Sequence, residues 1–285
     1  MKVAIVCHDA GAANHIFSWI ENVSIETNFR IYLSGPALEI WKGKQLNLIL
    51  CQSIDEAIKG VDYLITGTGW STDIEYDALC LAKSHQLRTV SLVDHWVNYE
   101  MRFIRRGIQI LPDEIWVSDN KAFELASETF PDTKIVKIAN YYVSALVKQI
   151  NADRNLEANH LLYLTEPIQS TWGKSEQGEF QALRYFLDNR ERLAIPDHVR
   201  ITLKVHPSEE DDKYNEIIRE YREIDLTVTK LPLSSALSRS MWVVGCNTFA
   251  MYIALCAEKY VFSSLPPWAP KLLLPFDEII EIRDL

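Results

Sequence analysis

The chain has 285 residues and a net charge of −10, which suits two ordinary domains and argues against coating nucleic acid as its main task. Apolar residues make up 48% and charged residues 24%, enough for a sizeable core and far from the composition of a disordered chain. The five cysteines (Cys7, Cys51, Cys80, Cys246, Cys256) are scattered without C-x-x-C spacing, so free thiols are expected rather than a disulfide framework or a zinc site.

The amino-terminal residues 1–7 read as a strand running into a polar loop, not as a secretion leader. No run approaches the roughly 20 apolar residues that span a bilayer, so a cytoplasmic protein without a transmembrane segment is expected, peripheral membrane contact staying open. Residues 3–6 form the first strand, and His8-Asp9-Ala10-Gly11-Ala12-Ala13-Asn14-His15 leads into an amphipathic helix through about residue 21. Strands follow at 30–33, 47–50 and 63–65, with a capping-box pattern at Ser53-Ile54-Asp55-Glu56 starting a helix before the last of them. Gly67-Thr68-Gly69-Trp70-Ser71 separates strand 63–65 from a helix over 73–85. Strand 89–93 ends in Asp94-His95-Trp96, and strands 114–117 and 134–138 flank a helix over 120–130.

A helix over 143–157 runs into a polar link, Asn151-Ala152-Asp153-Arg154-Asn155. A domain boundary is expected there, giving domains 1–150 and 158–285. The alternation then resumes with strands 161–164, 200–205, 226–228, 242–244 and 260–262. Helices lie between them near 176–188, 211–222, 233–240 and 248–257, and the tail over 276–282 is expected to return as a helix. Strands separated by helices of 10–15 residues imply parallel sheets built from βαβ units, with ligands at the carboxyl ends of the strands. The fold class is therefore α/β, with two Rossmann-like domains whose parallel sheets face each other across a cleft.

Two strand ends in the second half stand out. Leu203-Lys204-Val205-His206-Pro207 stops an apolar strand at His-Pro, because proline donates no hydrogen bond and holds the preceding residue extended. Trp242-Val243-Val244-Gly245-Cys246-Asn247-Thr248 ends a strand on glycine and opens a helix with small polar residues, a geometry that suits a phosphate. Taken singly, His206 is a loop residue and Asn247 a helix cap; together they point to a nucleotide phosphate site.

Lys204-Val205-His206-Pro207 resembles the His-Pro motif of bacterial GT-B glycosyltransferases that use cytidine nucleotides, such as sialyl and Kdo transferases and CDP-glycerol transferases. Val244-Gly245-Cys246-Asn247-Thr248-Phe249-Ala250, with Ala254 and Val261-Phe262-Ser263-Ser264, is similar to the donor-binding end of such enzymes. The resemblance implies an inverting sugar transfer from a nucleotide-activated donor to a glycan or lipid-linked glycan in surface polysaccharide biosynthesis. It also implies that His206 faces the donor phosphate, where it stabilises the leaving group. Thr165, Glu166, Pro207, Gly245, Asn247, Thr248, Ser234 and Ser235 complete the expected donor site, although capping alone also explains Thr248 and the two serines.

Inverting transfer needs a base at the acceptor hydroxyl. Asp94, at the end of an apolar strand, is the first candidate and Asp9 the second; a salt bridge from Asp94 to Arg102, Arg105 or Arg106 is the plainer reading. Acceptor contacts are expected from His8, Gly11, Asn14, Gly67, Thr68, His95, Trp96, Asn98, Tyr99 and Arg102, since aromatic faces stack on pyranoses and Asn or Arg bind hydroxyls. The plainer reading of Trp96 and Tyr99 is core packing. G-x-G-x-x-G and D-x-D patterns are absent, so NAD and a metal are not expected, and the nucleotide sugar is the co-substrate rather than a cofactor. A nucleotide-sugar hydrolase or epimerase on the same fold, and a non-catalytic nucleotide-binding subunit, remain alternatives.

Overall fold

A computed structural model describes residues 1–23, 27–44, 46–153, 160–196 and 198–285. The chain divides into two compact units, Met1–Tyr142 and Val143–Leu285.

Unit 1 runs β1 (Lys2–Cys7), α1 (Ala10–Asn22), β2 (Asn28–Leu33), α2 (Gly35–Lys42), β3 (Ile49–Leu50), α3 (Ile54–Ile58), β4 (Tyr63–Thr66), α4 (Ile74–Ser84) and β5 (Arg88–Leu92). It continues through α5 (Tyr99–Arg102), the small antiparallel hairpin β6 (Ile104–Arg105) and β7 (Ile108–Gln109), β8 (Glu114–Val117), α6 (Asn120–Thr129) and β9 (Lys134–Lys137). Seven parallel strands lie in the order β3-β2-β1-β4-β5-β8-β9. Helices on both faces explain the unbroken apolar run of β1. Val3, Ile5 and Cys7 pack with Ala12, Ala13, Ile16 and Phe17 of α1, whereas Ala4 and Val6 pack with Ile58 of α3 and Ala78 and Ala82 of α4. Each fully buried Ile or Phe in these layers contributes about 1.5–3 kcal/mol.

The Ser53 half of the expected α3 capping box forms, Ser53 Oγ accepting the Glu56 N–H at 3.1 Å, while the Glu56 carboxylate reaches one residue further back to accept the Gln52 N–H at 2.7 Å. Helix α2 and the β6–β7 hairpin had no counterpart in the sequence reading. Helix α2 starts at Gly35-Pro36, where the proline stands in the first turn and costs no hydrogen bond.

Helix α7 (Tyr141–Ala152) spans the division between the units; of the expected polar link and the helix end at Glu157, residues 154–157 lie outside the described residues. Unit 2 runs β10 (His160–Leu164), α8 (Gly178–Asn189), β11 (Arg200–Lys204), α9 (Asn215–Glu220), β12 (Leu226–Val228), α10 (Leu233–Ser238), β13 (Trp242–Gly245), α11 (Phe249–Cys256), β14 (Tyr260–Ser263) and β15 (Ile280–Glu281). Its six parallel strands lie in the order β12-β11-β10-β13-β14-β15. Tyr163 of β10 stacks on Phe186 of α8 with ring centroids 5.4 Å apart, and its hydroxyl meets Ser264 Oγ at 3.0 Å.

The tail is not the helix expected over 276–282. Ile280–Glu281 instead pairs parallel with β14, Phe262 opposite Ile280. The edge of β14 offers backbone groups that need partners, and the β-branched isoleucines 279, 280 and 282 suit an extended chain. Ile279 and Ile282 are buried and Ile280 is exposed. All five cysteines are free thiols, and among the described residues no helix is long and apolar enough to cross a membrane.

In both sheets the first strand lies inside the order and the chain returns to its other side with the fourth main strand. Each sheet thus has a switch point, between β1 and β4 in unit 1 and between β10 and β13 in unit 2. In open α/β sheets the carboxyl edge at such a point is the usual ligand position.

Candidate active site

In unit 1 the loops after β1, β4 and β5 meet around a glutamate that the sequence did not single out. Glu75, in the first turn of α4, is 3% exposed. Its Oε1 accepts the His8 N–H at 3.0 Å and its Oε2 the Gly69 N–H at 2.5 Å. One carboxylate thereby ties the β1 loop to the β4 loop across the switch point. Burial pushes the Glu75 carboxyl above its ordinary value, against the two backbone hydrogen bonds that favour its charged form. The space is made by glycine: a methyl group at Gly67 would stand 2.4 Å from Glu75 Oε1, and one at Gly69 2.1 Å from Asp9 Oδ2.

Asp9 and Asp94 flank this bridge. Asp9 Oδ1 lies 2.6 Å from His8 Nδ1 and accepts the Ser71 hydroxyl at 2.7 Å. Asp94 is the partner of Arg102, whose Nη1 donates to Asp94 Oδ1 at 3.0 Å, so the salt bridge read from sequence as the plainer alternative is present. The other oxygen, Asp94 Oδ2, lies over the start of α1, where a methyl group at Gly11 would stand 1.9 Å from it. Arg105 closes the loop from outside by donating to Gly69 O at 2.7 Å and to Asp73 Oδ1 at 3.1 Å.

Several expected acceptor contacts take other roles. Trp96 and Tyr99 are each 6% exposed and offer no face to a sugar; Trp96 Nε1 donates to the Asp119 carboxylate at 3.0 Å and the Tyr99 hydroxyl to Ala122 O at 3.4 Å. Arg102 is buried and committed to Asp94, to the Thr68 hydroxyl at 3.0 Å and to Val97 O at 3.0 Å. Thr68 is buried with it and donates to Leu92 O at 3.1 Å. Gly67 is buried against Glu75 and Ala12. His95 keeps a partly exposed position against Trp96, and burial holds its imidazole below the usual value. His8, Gly11 and Asn14 remain partly exposed on the β1 loop and α1, and Asn98 is exposed with a left-handed backbone, φ 60°, which asparagine tolerates.

In unit 2 two consecutive residues after β10 reach both neighbouring strand ends. Thr165 Oγ1 accepts the His206 N–H at 2.9 Å, next to β11, and Glu166 Oε2 accepts the Asn247 N–H at 2.8 Å, next to β13. Thr165 is itself buried and donates to Glu209 Oε2 at 2.7 Å, so it positions the His206 loop and has no hydroxyl to spare for a ligand. Glu209 is held in turn by Lys213 Nζ at 2.6 Å, which also meets Glu179 at 2.6 Å. Burial raises the Glu209 carboxyl, but Lys213 and Thr165 outweigh that and hold it below its ordinary value.

The His206 ring is fixed by its own loop. Its Nδ1 accepts the Ser208 N–H at 3.2 Å and lies 2.7 Å from Ser208 Oγ. A neutral His206 therefore carries its proton on Nε2. Burial lowers the imidazole below its usual value, against the pull of Glu209, so the neutral form prevails at pH 7. Pro207 is exposed beside it. Burial likewise raises Glu166, whose Asn247 hydrogen bond works the other way.

The remaining expected donor residues divide. Asn247 gives its N–H to Glu166, and its Oδ1 accepts the Leu273 N–H at 2.7 Å; only its amide NH₂ is left to a ligand. Thr248 is the N-cap of α11, its Oγ1 accepting the Ala250 N–H at 3.4 Å. Gly245 is buried inside β13, where a methyl group would stand 3.0 Å from Met251 Sδ and 3.4 Å from Leu164 O; it permits close packing and contacts no ligand space. Ser234 and Ser235 open α10, which follows β12; Ser234 is buried, and the Ser235 carbonyl accepts the Ser238 hydroxyl at 2.9 Å within the helix. Among the described residues no group of three or more His, Cys, Asp or Glu side chains is arranged to hold a metal ion.

Neither a protein-family model nor a curated protein matches the sequence. Solved structures match by fold. A Listeria monocytogenes protein assigned as a UDP-N-acetylglucosamine 2-epimerase aligns with a TM-score of 0.62 and 15% identity over 92% of this chain and 78% of that one. MurG of Acinetobacter baumannii aligns with a TM-score of 0.51 and 10% identity over 92% and 78%. The glycotransferase of kitacinnamycin aligns with a TM-score of 0.51 and 10% identity over 92% and 80%. With two parallel α/β units and these neighbours, the chain has a GT-B-type fold.

Proposed function

We propose that the protein is a glycosyltransferase, or a related enzyme of nucleotide-activated sugars, with the nucleotide phosphates on the unit 2 edge and base chemistry on the unit 1 edge. The observation that carries the reading is the convergence of His206 and Asn247 on Thr165-Glu166, with the His206 Nε2–H and the Asn247 amide as neutral donors beside the start of α11. A leaving phosphate gains negative charge in the transition state, and preorganised donors stabilise it more than they stabilise the ground state. The nucleotide sugar is the co-substrate, and no resident cofactor is part of the proposal. The resemblance of Lys204-Val205-His206-Pro207 points the donor toward cytidine nucleotides and the product toward a surface glycan.

On the unit 1 edge, Asp94 is proposed as the base through Oδ2, its Oδ1 being held by Arg102; Asp9, held by His8 and Ser71, is the competing carboxylate. A second reading has support from the same cluster. Asp9, Glu75 and Asp94 crowd one edge, and such groups also serve an epimerase or hydrolase that moves protons without an acceptor glycan.

Calorimetric titration of CMP, CDP, UDP and GDP into the wild type and into His206→Ala tests the phosphate site. We expect cytidine nucleotides to bind and the variant to lose about tenfold or more in affinity, a charge-assisted hydrogen bond being worth about 1.5–3 kcal/mol. Preference for UDP or GDP would remove the cytidine assignment, and no binding by any nucleotide would sink the proposal. Consumption of the bound donor without added glycan would select the epimerase or hydrolase reading.

A further inference from the structure

We propose that the exposed indole of Trp70 is a stacking platform for a pyranose ring of the acceptor, an inference that rests on the sugar-processing reading above. Trp70 is 44% exposed, whereas the aromatic residues that the sequence favoured for this task are buried. It stands directly after Gly69, on the loop that leaves β4 at the switch point.

The backbone on both sides of Trp70 is fixed. Gly69 gives its N–H to Glu75 at 2.5 Å and its carbonyl accepts Arg105 at 2.7 Å, while the Ser71 hydroxyl donates to Asp9 Oδ1 at 2.7 Å. The Arg102 guanidinium lies 5.6 Å from the indole centroid and also holds Asp94 Oδ1. A ring stacked on the free face of Trp70 is therefore linked to the proposed base through the indole and Arg102. An exposed apolar surface on a fixed backbone, with Ser71, Asp9 and His8 on the same loops, matches a pyranose, which has apolar C–H faces and a hydroxyl rim.

Trp268, the other exposed tryptophan among the described residues at 46%, differs in kind. Its Nε1 donates to Gln181 at 2.6 Å, the Lys174 ammonium lies 5.2 Å from its ring, and it belongs to unit 2. It serves as an internal control.

The test labels the full chain with 5-fluorotryptophan, which places one fluorine on each of the eight tryptophans. The Trp70 resonance is assigned by its loss in Trp70→Phe, whose seven remaining resonances also report whether the variant is folded. Methyl gluco-, galacto- and N-acetylglucopyranosides are titrated up to about 0.1 M, two decades above a millimolar dissociation constant. We expect at least one of them to shift the Trp70 resonance saturably and leave Trp268 in place. Trp70→Ala should weaken that sugar about 3- to 10-fold by saturation-transfer NMR, with Trp70→Phe recovering part of the loss. A Trp70 resonance that no pyranoside moves, or that moves in step with Trp268, overturns the platform. The nucleotide titrations are separate: if they succeed while Trp70 stays silent, only the platform falls, and if they fail the functional reading falls independently.

Discussion

Both sheets reverse at a switch point, and both reversals are bridged by a glutamate that accepts a backbone N–H from the opposite loop. In unit 1 the bridge is Glu75, fully enclosed, with both oxygens occupied by His8 and Gly69. In unit 2 it is Glu166, partly exposed, with Asn247 on one oxygen. Their surroundings diverge further. The unit 1 edge gathers an Asp94–Arg102 ion pair, Asp9 held by His8 and Ser71, and Arg105 paired with Asp73, whereas the unit 2 edge presents an imidazole and an amide beside the Glu209–Lys213 ion pair. One edge is built to hold reactive charge still and the other to offer neutral donors. The same topological device thus carries two different sets of side chains, and under the proposed function these would serve two chemistries.

The largest expected effect separates the edges by activity. Asp94→Asn keeps the shape but removes the base, and should lower turnover about 10²- to 10⁴-fold with nucleotide affinity unchanged. Gly11→Ala probes the same carboxylate without altering it, since the added methyl would stand 1.9 Å from Asp94 Oδ2 and must push it aside. Gly11 stands in the first turn of α1, and moving Asp94 strains its bond to Arg102, so some loss of stability is expected beside the fall in turnover. Initial-rate kinetics beside calorimetry with the nucleotide check both. If Asp94→Asn retains full turnover while Asp9→Asn does not, the base moves to the β1 loop.

The next effect separates the two bridges by stability. Glu75→Ala leaves two enclosed N–H groups without partners, each worth about 1–3 kcal/mol. Part of that loss is offset because the buried carboxylate is itself disfavoured, so about 1–4 kcal/mol of net destabilisation is expected. Glu166→Ala strands one N–H at a partly wet site and should cost about 1 kcal/mol or less. Urea unfolding midpoints measure the difference; equal losses would show that the two bridges are not distinct in kind.

Much of the architecture was legible in the sequence. Parallel strands buried on both faces read as short apolar runs, and His-Pro or glycine marks where they stop, as at Val205-His206-Pro207 and Val244-Gly245. Strand order is not written locally, so the switch points could not be located. Glu75 was missed because a first-turn glutamate looks like any surface carboxylate until Gly67 and Gly69 close over it. Trp96 was misplaced for a related reason: its burial depends on Asp119, which reaches it from the start of α6, 23 residues along the chain. The tail was misread because a two-residue strand takes its partner from β14 rather than from its own pattern.

The smallest effect is a dependence of stability on pH, and its sign differs between histidines and bridges. Burial lowers His15, against the pull of Asp94 and Asp119, and also lowers His95 and His206. An unfolded imidazole titrates near about 6.5, so between the depressed folded values and about 6.5 the unfolded chain binds more protons. Their contribution is complete above about pH 6.5 and is lost as the pH falls through that window. Glu75 and Glu166 work the other way, because folded carboxyls raised above about 4.3 bind more protons than unfolded ones, and stability falls as the pH rises through their window. Urea midpoints should therefore decline from pH 7 toward 5.5 in the wild type. His15→Gln should flatten that decline, by at most about 1.4 kcal/mol per pH unit, whereas Glu75→Gln should remove a contribution of opposite sign that begins above the ordinary carboxyl value of about 4.3. A His15→Gln slope identical to the wild type would mean that His15 titrates alike in the folded and unfolded chains.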